Sequence, residues 1–468
     1  MSYYYKLAQI QIDQFKNDEK LNNYIKCRIG KTNHHVSNNL LAQCRRAQTS
    51  LGLTLSKYID MYKKPFITPK FKTIEEKESY YRLWCDMIHI PKDYRNVWRQ
   101  YKYIEEQPQT EQKSQEWLDE RQKYITASSG AEAISESKYK TRESFARDKA
   151  GLGIPFKENA NVWHGKKSET IATSIFEEDF NVKVGEFGLI PHLRKDKKDV
   201  IPFLGASPDG IATCCSMDGK FSDYVGRMLE IKCVTSRQIN DTGPEHIFKY
   251  TEKKDPGIVP HYYWIQIQLQ LECCNLELCD FWQCKLRDYW SKRLLDEAVR
   301  KYGKSTHCRE QGVPHIMNPN LETGVYVELL PKDTSKIPKD EKVMWYGKYI
   351  YPHNMSEHMN DKIEWALHMK ENWKTIYPQY VKDYEFGKLI FYHLEKSHCY
   401  LVRRDQDWFK EALPRFKEFW DMVLLYRHDK ETRDRIIEEI AQKEIEKLAK
   451  AERKRKFTND INLESDED

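Results

Sequence analysis

Three charged side chains lie in the strand-forming segment 203–233, which reads FLGASPDGIATCCSMDGKFSDYVGRMLEIKC. Asp209 belongs to an SPDG turn, and Glu230 and Lys232 flank Ile231 twenty residues later. Side chains two apart in a strand point to the same face, so Glu230 and Lys232 are predicted to project together. The SPDG turn doubles the chain back beside that strand, which brings both carboxylates and the lysine to one point.

This set of groups suits the hydrolysis of a phosphodiester. Two carboxylates can hold a hard divalent cation such as Mg²⁺, which also takes phosphate oxygens of a substrate as ligands. Lys232 would then orient or deprotonate the attacking water. A competing interpretation is a surface salt bridge between Glu230 and a neighbouring lysine. Three residues alone do not decide between the two.

The elements that must position these groups follow from hydrophobic periodicity. HGKKSETIATSIFEEDF, residues 164–180, has the pattern of an amphipathic helix, and the length of the segment 261–275 favours a second helix. Strands are predicted at VKVGEFGLI, PFLGAS, GIATCC, GRMLEIKCV and CDFWQCKL. Helices and strands also alternate beyond residue 290. The core is therefore expected to be α/β or α+β.

Five sequence blocks occur in a recognisable order: WLDERQKYITAS, GKKSE, SPDG, LEIKC followed by TSR, and QIQ in the helix 261–275. Their order and spacing resemble those of the phage-lambda-type exonucleases, or YqaJ-like viral recombinases, of the PD-(D/E)XK nuclease superfamily. The resemblance covers about residues 115–290, and VRRDQDWF at 402–409 is similar to the family's closing strand and helix. It implies a restriction-endonuclease-like core with a mixed central sheet flanked by helices.

The resemblance also implies roles for individual residues. Asp209, Glu230, the backbone carbonyl of Ile231 and the helical Glu169 would hold two Mg²⁺ or Mn²⁺ ions, and Lys232 would be the catalytic lysine. Gln266 matches the first glutamine of the family's QxQ motif. On a helix it shares a face with Gln270, while Gln268 turns away. The alternative to a contact with the active site is that these glutamines form a polar stripe that faces water.

A pocket for the 5′-phosphate of a DNA end is implied by a further set of matches. They are Arg121, Ser128, Ser207 and, one residue out of the family's spacing, Arg237. Guanidinium and hydroxyl groups are suitable donors to phosphate. Trp117 is predicted either to pack near the pocket or to be ordinary core. The basic insertion HLRKDKKDV, residues 192–200, either lines a DNA groove or forms a solvated hairpin tip.

Composition limits the class of protein. The chain has 468 residues, 32% of them charged and 13% aromatic, with a net charge of +5 and no apolar run long enough to cross a membrane. Its start lacks the apolar region of a signal peptide, so a soluble intracellular protein is expected, in host cytoplasm or nucleus if it is viral. Ordinary reduced thiols are favoured over a metal site at Cys27, His34, His35 and Cys44.

Three regions are expected along the chain: a helical N-terminal part (1–110) of unknown role, an exonuclease core (111–427), and a charged helical tail (428–468) with an acidic end. The expected function is 5′→3′ digestion of linear double-stranded DNA ends for recombination or repair. The partners implied are a single-strand annealing recombinase or DNA-binding protein, and two further copies of the chain. The alternatives are a structure-specific or sequence-selective endonuclease and a catalytically idle DNA-binding scaffold.

Overall fold

The structure is a computed structural model, and it describes most of the chain from residue 74 to residue 449. The described residues are 74–153, 159–194, 199–247, 257–303, 305–309, 312–442, 445, 446 and 449. The cysteine and histidine group between residues 27 and 44 lies outside them. So does the centre of the basic insertion, together with most of the acidic end.

Eleven helices are numbered here in chain order within the described residues. They are α1 (Ile74–Met87), α2 (Arg95–Glu105), α3 (Gln115–Arg121), α4 (Gly130–Ala133), α5 (Arg142–Lys149), α6 (Ala160–Phe180), α7 (His261–Cys274), α8 (Lys292–Tyr302), α9 (Pro319–Glu322), α10 (Met359–Ile376) and α11 (Gln406–His428). The chain is helical again over residues 430–442.

Twelve strands in the same residues form one large and one small sheet. They are β1 (Ile125–Thr126), β2 (Val184–Gly185), β3 (Ile190–Pro191), β4 (Leu204–Ala206), β5 (Gly210–Ala212), β6 (Met228–Cys233), β7 (Leu278–Tyr289), β8 (Thr306–Arg309), β9 (Val313–Pro314), β10 (Thr323–Pro331), β11 (Lys348–Ile350) and β12 (Tyr384–Arg403).

The large sheet has the strand order β11-β10-β12-β7-β6-β5-β2, with β8 beside β12 and β9 beside β8. Strands β6 and β7 run parallel, whereas β5 pairs antiparallel with β6. The small sheet has the order β1-β4-β3. The expectation of a mixed α+β core is confirmed, and so is the return of the chain after SPDG to run beside the Glu-Ile-Lys strand.

Helices cover both faces of the sheet around β6. Leu229 and Ile231 pack with apolar residues of α6, including Ile175, in one core cluster. Met228 points the other way and packs with Ile265 of α7 in a second cluster. This alternation is the period of two that a strand buried on both faces must have. It leaves Glu230 and Lys232 on the α7 side.

Helices α1 and α2 pack against the rest of the protein. Tyr81 and Trp84 of α1 share a core cluster with Cys214 and Met217, which follow β5. Tyr101 of α2 is buried in the same cluster as residues of α7. The domain boundary at residue 110 stays a prediction, because the packing of α1 and α2 does not locate it.

Some predicted elements are shorter than expected. VKVGEFGLI contains only the two-residue strand β2 and the first residue of β3. The segment VRRDQDWF does end a strand at Arg403 and begin a helix at Gln406. The ten described cysteines are all free thiols.

Candidate active site

Asp209 is fixed to the strand that carries the other predicted metal ligands. Its Oδ2 accepts a hydrogen bond of 2.7 Å from the backbone N–H of Ile231. Burial raises the pKa of Asp209 well above its ordinary value, and the negative charges of Glu230 and Glu169 raise it further. The three carboxylates predicted to act together therefore share one electrostatic environment.

Glu230 is fully buried, and helix α7 holds its carboxylate from both sides. Gln266 donates from Nε2 to Oε1 of Glu230 at 2.7 Å, and Gln270 donates from Nε2 to Oε2 at 2.7 Å. Lys232 also contacts Oε1. The predicted shared face of Gln266 and Gln270 is thus directed at the site, and the competing picture of a stripe facing water is not what the structure has.

Gln268 serves a different purpose on the opposite side of α7. Its Nε2 donates to the carbonyl of Arg403 at 2.9 Å, and its Oε1 accepts from the N–H of Asp405 at 2.7 Å. These bonds tie α7 to the end of β12 and the start of α11. Each of the three side-chain amides therefore donates a hydrogen bond, two of them to Glu230 and one to the backbone at Arg403.

Lys232 lies between carboxylates and an aromatic ring. Burial alone would lower the pKa of its ammonium group, but Glu230 and Asp209 raise it above the ordinary value, so Lys232 is cationic. Its Nζ is 4.7 Å from the centroid of the Tyr263 ring. Arg237 lies near the same ring, with Cζ at 5.9 Å, and donates to Oε1 of Gln283 at 2.7 Å.

Glu169, from α6, reaches the site from the other face of the sheet and pairs with a lysine that the sequence did not single out. Nζ of Lys113 lies 3.3 Å from its Oε1. Lys113 has a left-handed backbone (φ 71°). Its neighbour Gln112 donates to the carbonyls of Phe187 and Pro208, at 2.7 and 3.1 Å. The segment around Gln112 and Lys113 thus lies beside the SPDG turn.

Three of the four residues predicted to bind a 5′-phosphate form one cluster around Trp117. Nη2 of Arg121 donates to Oγ of Ser128 at 3.1 Å, and its guanidinium stacks 4.2 Å from the centroid of the Trp117 ring. Trp117 in turn donates from Nε1 to Oγ of Ser207 at 3.1 Å. Because Ser207 is two residues from Asp209, the cluster adjoins the carboxylates. Burial lowers the pKa of Arg121 to about 10.

Arg237 is the exception among these predicted phosphate ligands. Its contacts with Gln283 and Tyr263 place it on the Lys232 side of the site, whereas Arg121 and the two serines gather around Trp117. The register explains this placement, because Gln283 of β7 is the direct neighbour of Lys232 in β6.

Two further cations lie behind the Arg121 cluster. Lys149 donates from Nζ to the carbonyl of Arg121 at 2.6 Å, and Nη2 of Arg427 donates to the carbonyls of Gln122 and Lys149 at 2.5 and 2.6 Å. Burial lowers the pKa of Lys149 to about 7, with the charges of Arg121 and Arg427 adding to the shift. No motif in the sequence marks either residue, since both act on backbone carbonyls far away in the chain.

The donor set of this site fits a hard divalent cation by chemistry. Carboxylates of Asp209, Glu169 and Glu230 and the carbonyl of Ile231 are oxygen ligands of the kind that Mg²⁺ accepts. Among the residues that the structure describes, no group of three or more His, Cys, Asp or Glu side chains is gathered as a metal site. Lys113 and Lys232 instead contact two of the carboxylates.

Comparisons with known proteins found one matching family model. Residues 116–277 match the family model of the YqaJ-like viral recombinase domain. The resemblance inferred from the five motifs is therefore confirmed over this part of the chain.

A curated relative and two solved structures are similar over longer stretches. An uncharacterized protein of Acanthamoeba polyphaga mimivirus is 33% identical over 388 residues, and the alignment covers 80% of this chain and 65% of that protein. This chain thus spans 65% of the relative's length. Two crystal structures of an alkaline exonuclease from Laribacter hongkongensis, one in complex with dAMP, match 71% of this chain and 99% of theirs at 16% identity, with a TM-score of 0.30.

In the described part of the chain, no helix combines the length and the apolar character that a membrane span requires.

Proposed function

We propose that this protein is a metal-dependent deoxyribonuclease that digests linear double-stranded DNA from the 5′ end, for viral recombination or repair. The observation that carries the proposal is the convergence of Asp209, Glu230 and Lys232 at the C-terminal half of β6, beside the cluster of Arg121 and its two serines. A catalytically idle scaffold would have no use for buried acidic groups where DNA phosphates bind.

Asp209, Glu230, Glu169 and the carbonyl of Ile231 are the groups that would hold two Mg²⁺ or Mn²⁺ ions. When bound, the ions supply Lewis-acid activation and neutralise the charge that develops on phosphate oxygens. Binding requires Lys113 and Lys232 to release the carboxylates that they contact. Gln266 and Gln270 keep Glu230 in place while this exchange occurs.

Lys232 has the position of a group that orients the attacking water, and it deprotonates that water only if it first loses its own proton. Its ammonium group is next to the carboxylates and is held cationic by them, so the substrate phosphate would also be attracted to it. The ring of Tyr263 restricts the other side of the lysine. Lys232 is thus held in place by its neighbours and brings a positive charge to the site.

The Arg121 cluster would bind the terminal 5′-phosphate and set which bond is cut. A guanidinium offers paired donors to phosphate, and the hydroxyls of Ser128 and Ser207 add to them. Stacking on Trp117 fixes the plane of the guanidinium. A phosphate held at a fixed distance from the carboxylates explains why an end would be preferred to an internal site.

The first test compares linear with circular DNA. Purified protein with Mg²⁺ should degrade a linear duplex from its 5′-phosphorylated ends and leave a covalently closed circle of the same sequence intact. Cleavage of the circle at a comparable rate would replace the exonuclease proposal by the endonuclease alternative. Binding with no cleavage of either substrate would favour the scaffold alternative.

The second test addresses the metal. Replacing Mg²⁺ by Ca²⁺ should allow DNA to bind with little hydrolysis, because Ca²⁺ accepts larger and more variable coordination shells. Mn²⁺ should support cleavage. Rapid cleavage in excess chelator would contradict the metal scheme as a whole.

Assembly and partners are part of the same proposal. The family resemblance suggests a ring of three subunits around DNA and an annealing recombinase that receives the exposed single strand. Light scattering of the purified chain, alone and with a linear duplex, should give the mass of a trimer. A monomer under both conditions would exclude the ring.

A further inference from the structure

A run of tyrosine rings leads from the catalytic lysine to the protein surface. We call Tyr263, Tyr262 and Tyr139 the tyrosine track. The ring centroids of Tyr262 and Tyr263 are 4.2 Å apart, and those of Tyr139 and Tyr262 are 5.3 Å apart. The hydroxyls of Tyr139 and Tyr262 are within 3.3 Å of each other. One end of the track is therefore at Lys232 and the other is in solvent.

Exposure increases along the track. Tyr262 and Tyr263 are part-exposed at the start of α7, whereas 64% of Tyr139 is open to solvent. Tyr139 lies in the loop between α4 and α5, so two separate parts of the chain build the surface. A single exposed ring is common on protein surfaces, so a binding role for Tyr139 is inferred from the rings and cations beside it.

Cations accompany the rings at both ends. Nζ of Lys138 is 5.2 Å from the ring centroid of Tyr139 and 6.0 Å from that of Tyr262. Arg237 and Lys232 lie near the ring of Tyr263 at the inner end. Aromatic faces interleaved with positive charges are the pattern that binds single-stranded nucleic acid, because bases stack on the rings and phosphates contact the cations.

We propose that unpaired bases of the DNA strand being cut stack on the tyrosine track. This inference rests on the proposed nuclease function and adds the form in which the substrate enters the site. Lys232, which contacts Glu230, lies at the inner end of the track, so a strand whose bases stack on the rings is led to the carboxylates. Stacking compensates for the base pairs that are opened. Tyr139 and Tyr262 meet edge to face at 89°, and Tyr262 and Tyr263 are tilted by 52°, so each ring offers its own exposed face to a base.

Base pairing argues against an intact duplex as the occupant. In a duplex the flat faces of the bases are covered by neighbouring pairs, and only the terminal pair offers a face. A track of successive rings therefore recognises a strand that has already separated. Because every base has a π-face, the track would add affinity without adding sequence preference.

The test measures binding of a short fluorescein-labelled single-stranded DNA by anisotropy, with Ca²⁺ in place of Mg²⁺. Tyr139→Ala should weaken binding about five- to tenfold, because one stacking contact is lost. Tyr139→Phe keeps the ring and should bind like the unaltered protein. Trp290→Ala is the matched control: Trp290 is 72% exposed and lies seven residues beyond Gln283, the strand neighbour of Lys232.

An abasic series separates stacking from charge. Oligonucleotides with one abasic site at successive positions should lose affinity for the unaltered protein at the positions that meet the track. With Tyr139→Ala, an abasic site at the position that stacks on Tyr139 should no longer reduce the affinity. Abasic sites at the other positions should still reduce it. Equal affinities of Tyr139→Ala, Trp290→Ala and the unaltered protein, or an unchanged abasic profile, would overturn the proposal.

The outcome is independent of the test of the proposed function. If linear DNA is degraded as expected but Tyr139→Ala binds single-stranded DNA normally, the stacking proposal is wrong and the nuclease proposal is retained. If no DNA is cleaved but Tyr139→Ala still loses base-dependent binding, the surface binds single strands and the nuclease proposal fails. Thermal melts of each variant should show that Tyr139→Ala folds normally.

Discussion

Lys232 is the residue on which the proposed chemistry depends most directly. It contacts Glu230, lies over Tyr263 and is held cationic by its carboxylate neighbours. Lys232→Met keeps the length of the side chain and removes the charge. Hydrolysis of linear DNA should fall by about a hundredfold or more, the range expected for loss of a positioned acid–base group. Binding measured with Ca²⁺ should remain, because the Arg121 cluster is unaltered. Full activity of the variant would remove the role assigned to the lysine.

The three glutamines of α7 allow a comparison within one helix. Gln270→Leu removes a donor from the buried carboxylate of Glu230, so the cleavage rate should drop. Gln268→Leu breaks two bonds to the backbone at Arg403 and Asp405, so the free energy of unfolding should fall by about 1–3 kcal/mol. Cleavage assays below the melting temperature, together with urea unfolding, distinguish the two effects. A rate loss for Gln268→Leu as large as that for Gln270→Leu would contradict this division of roles.

At the residue scale, the sequence predicted those site residues whose spacing matches the period of a strand or of a helix. Strand alternation placed Glu230 and Lys232 on one face, and helical periodicity placed Gln266 with Gln270. Periodicity could not say whether that helical face meets water or Glu230, because the answer depends on how α7 packs across β6. Lys113 has no signal at all, since its contact with Glu169 follows from a left-handed backbone in a segment without apolar pattern.

At the element scale, the Arg121 cluster is built by α3, the 3₁₀ turn that follows β1, and Ser207, which follows β4, and it is supported from behind by α5 and α11. Arg427 of α11 bonds the carbonyls of Gln122 and Lys149, and Lys149 bonds the carbonyl of Arg121. These contacts fix the backbone that carries the guanidinium. The cluster therefore depends on a helix more than three hundred residues further along the chain.

Arg427→Ala should reduce the preference for 5′-phosphorylated over 5′-hydroxyl ends by about fivefold, because the backbone at Arg121 loses hydrogen bonds worth roughly 1 kcal/mol. Arg121→Ala should abolish the preference entirely. The ratio of cleavage rates on the two kinds of end is the measurement. Arg435→Ala, an exposed arginine seven residues after the end of α11, is the control and should leave the ratio unchanged. If Arg427→Ala gives the same ratio of cleavage rates as Arg435→Ala, the hydrogen bonds of Arg427 do not contribute to recognition of the 5′-phosphate.

Elements with strong periodicity were predictable, and short ones were not. Helix α6 and strands β6 and β7 have apolar patterns that indicate their type, whereas the segment of α7 fits helix or strand by period and only its length favours a helix. The strands β1, β2 and β3 each have two residues, so they carry no pattern of their own and exist only because neighbouring backbone completes their hydrogen bonds. Their positions depend on tertiary contacts that no local window contains.

At the scale of the whole molecule, a buried ion network joins α1 to the core. Nζ of Lys77 lies 3.3 Å from Oε2 of Glu177 in α6, and Lys183 lies 2.7 Å from both Glu177 and Glu78. Lys77 and Glu177 are only 3% exposed. Composition showed that the chain could build a large core, but it could not show that the N-terminal helices share it, because these partners are about a hundred residues apart.

Lys77→Met should therefore lower the free energy of unfolding by about 3 kcal/mol, because it leaves the buried Glu177 with less compensating charge. The control is Lys102→Met in α2, where the ion pair with Glu105 is more exposed and should contribute less than about 0.5 kcal/mol. Urea unfolding followed by tryptophan fluorescence measures both, and a single transition is expected for each variant. A separate early transition for Lys77→Met, with the remaining unfolding unchanged, would instead show that the N-terminal helices form their own unit, as the predicted boundary at residue 110 requires.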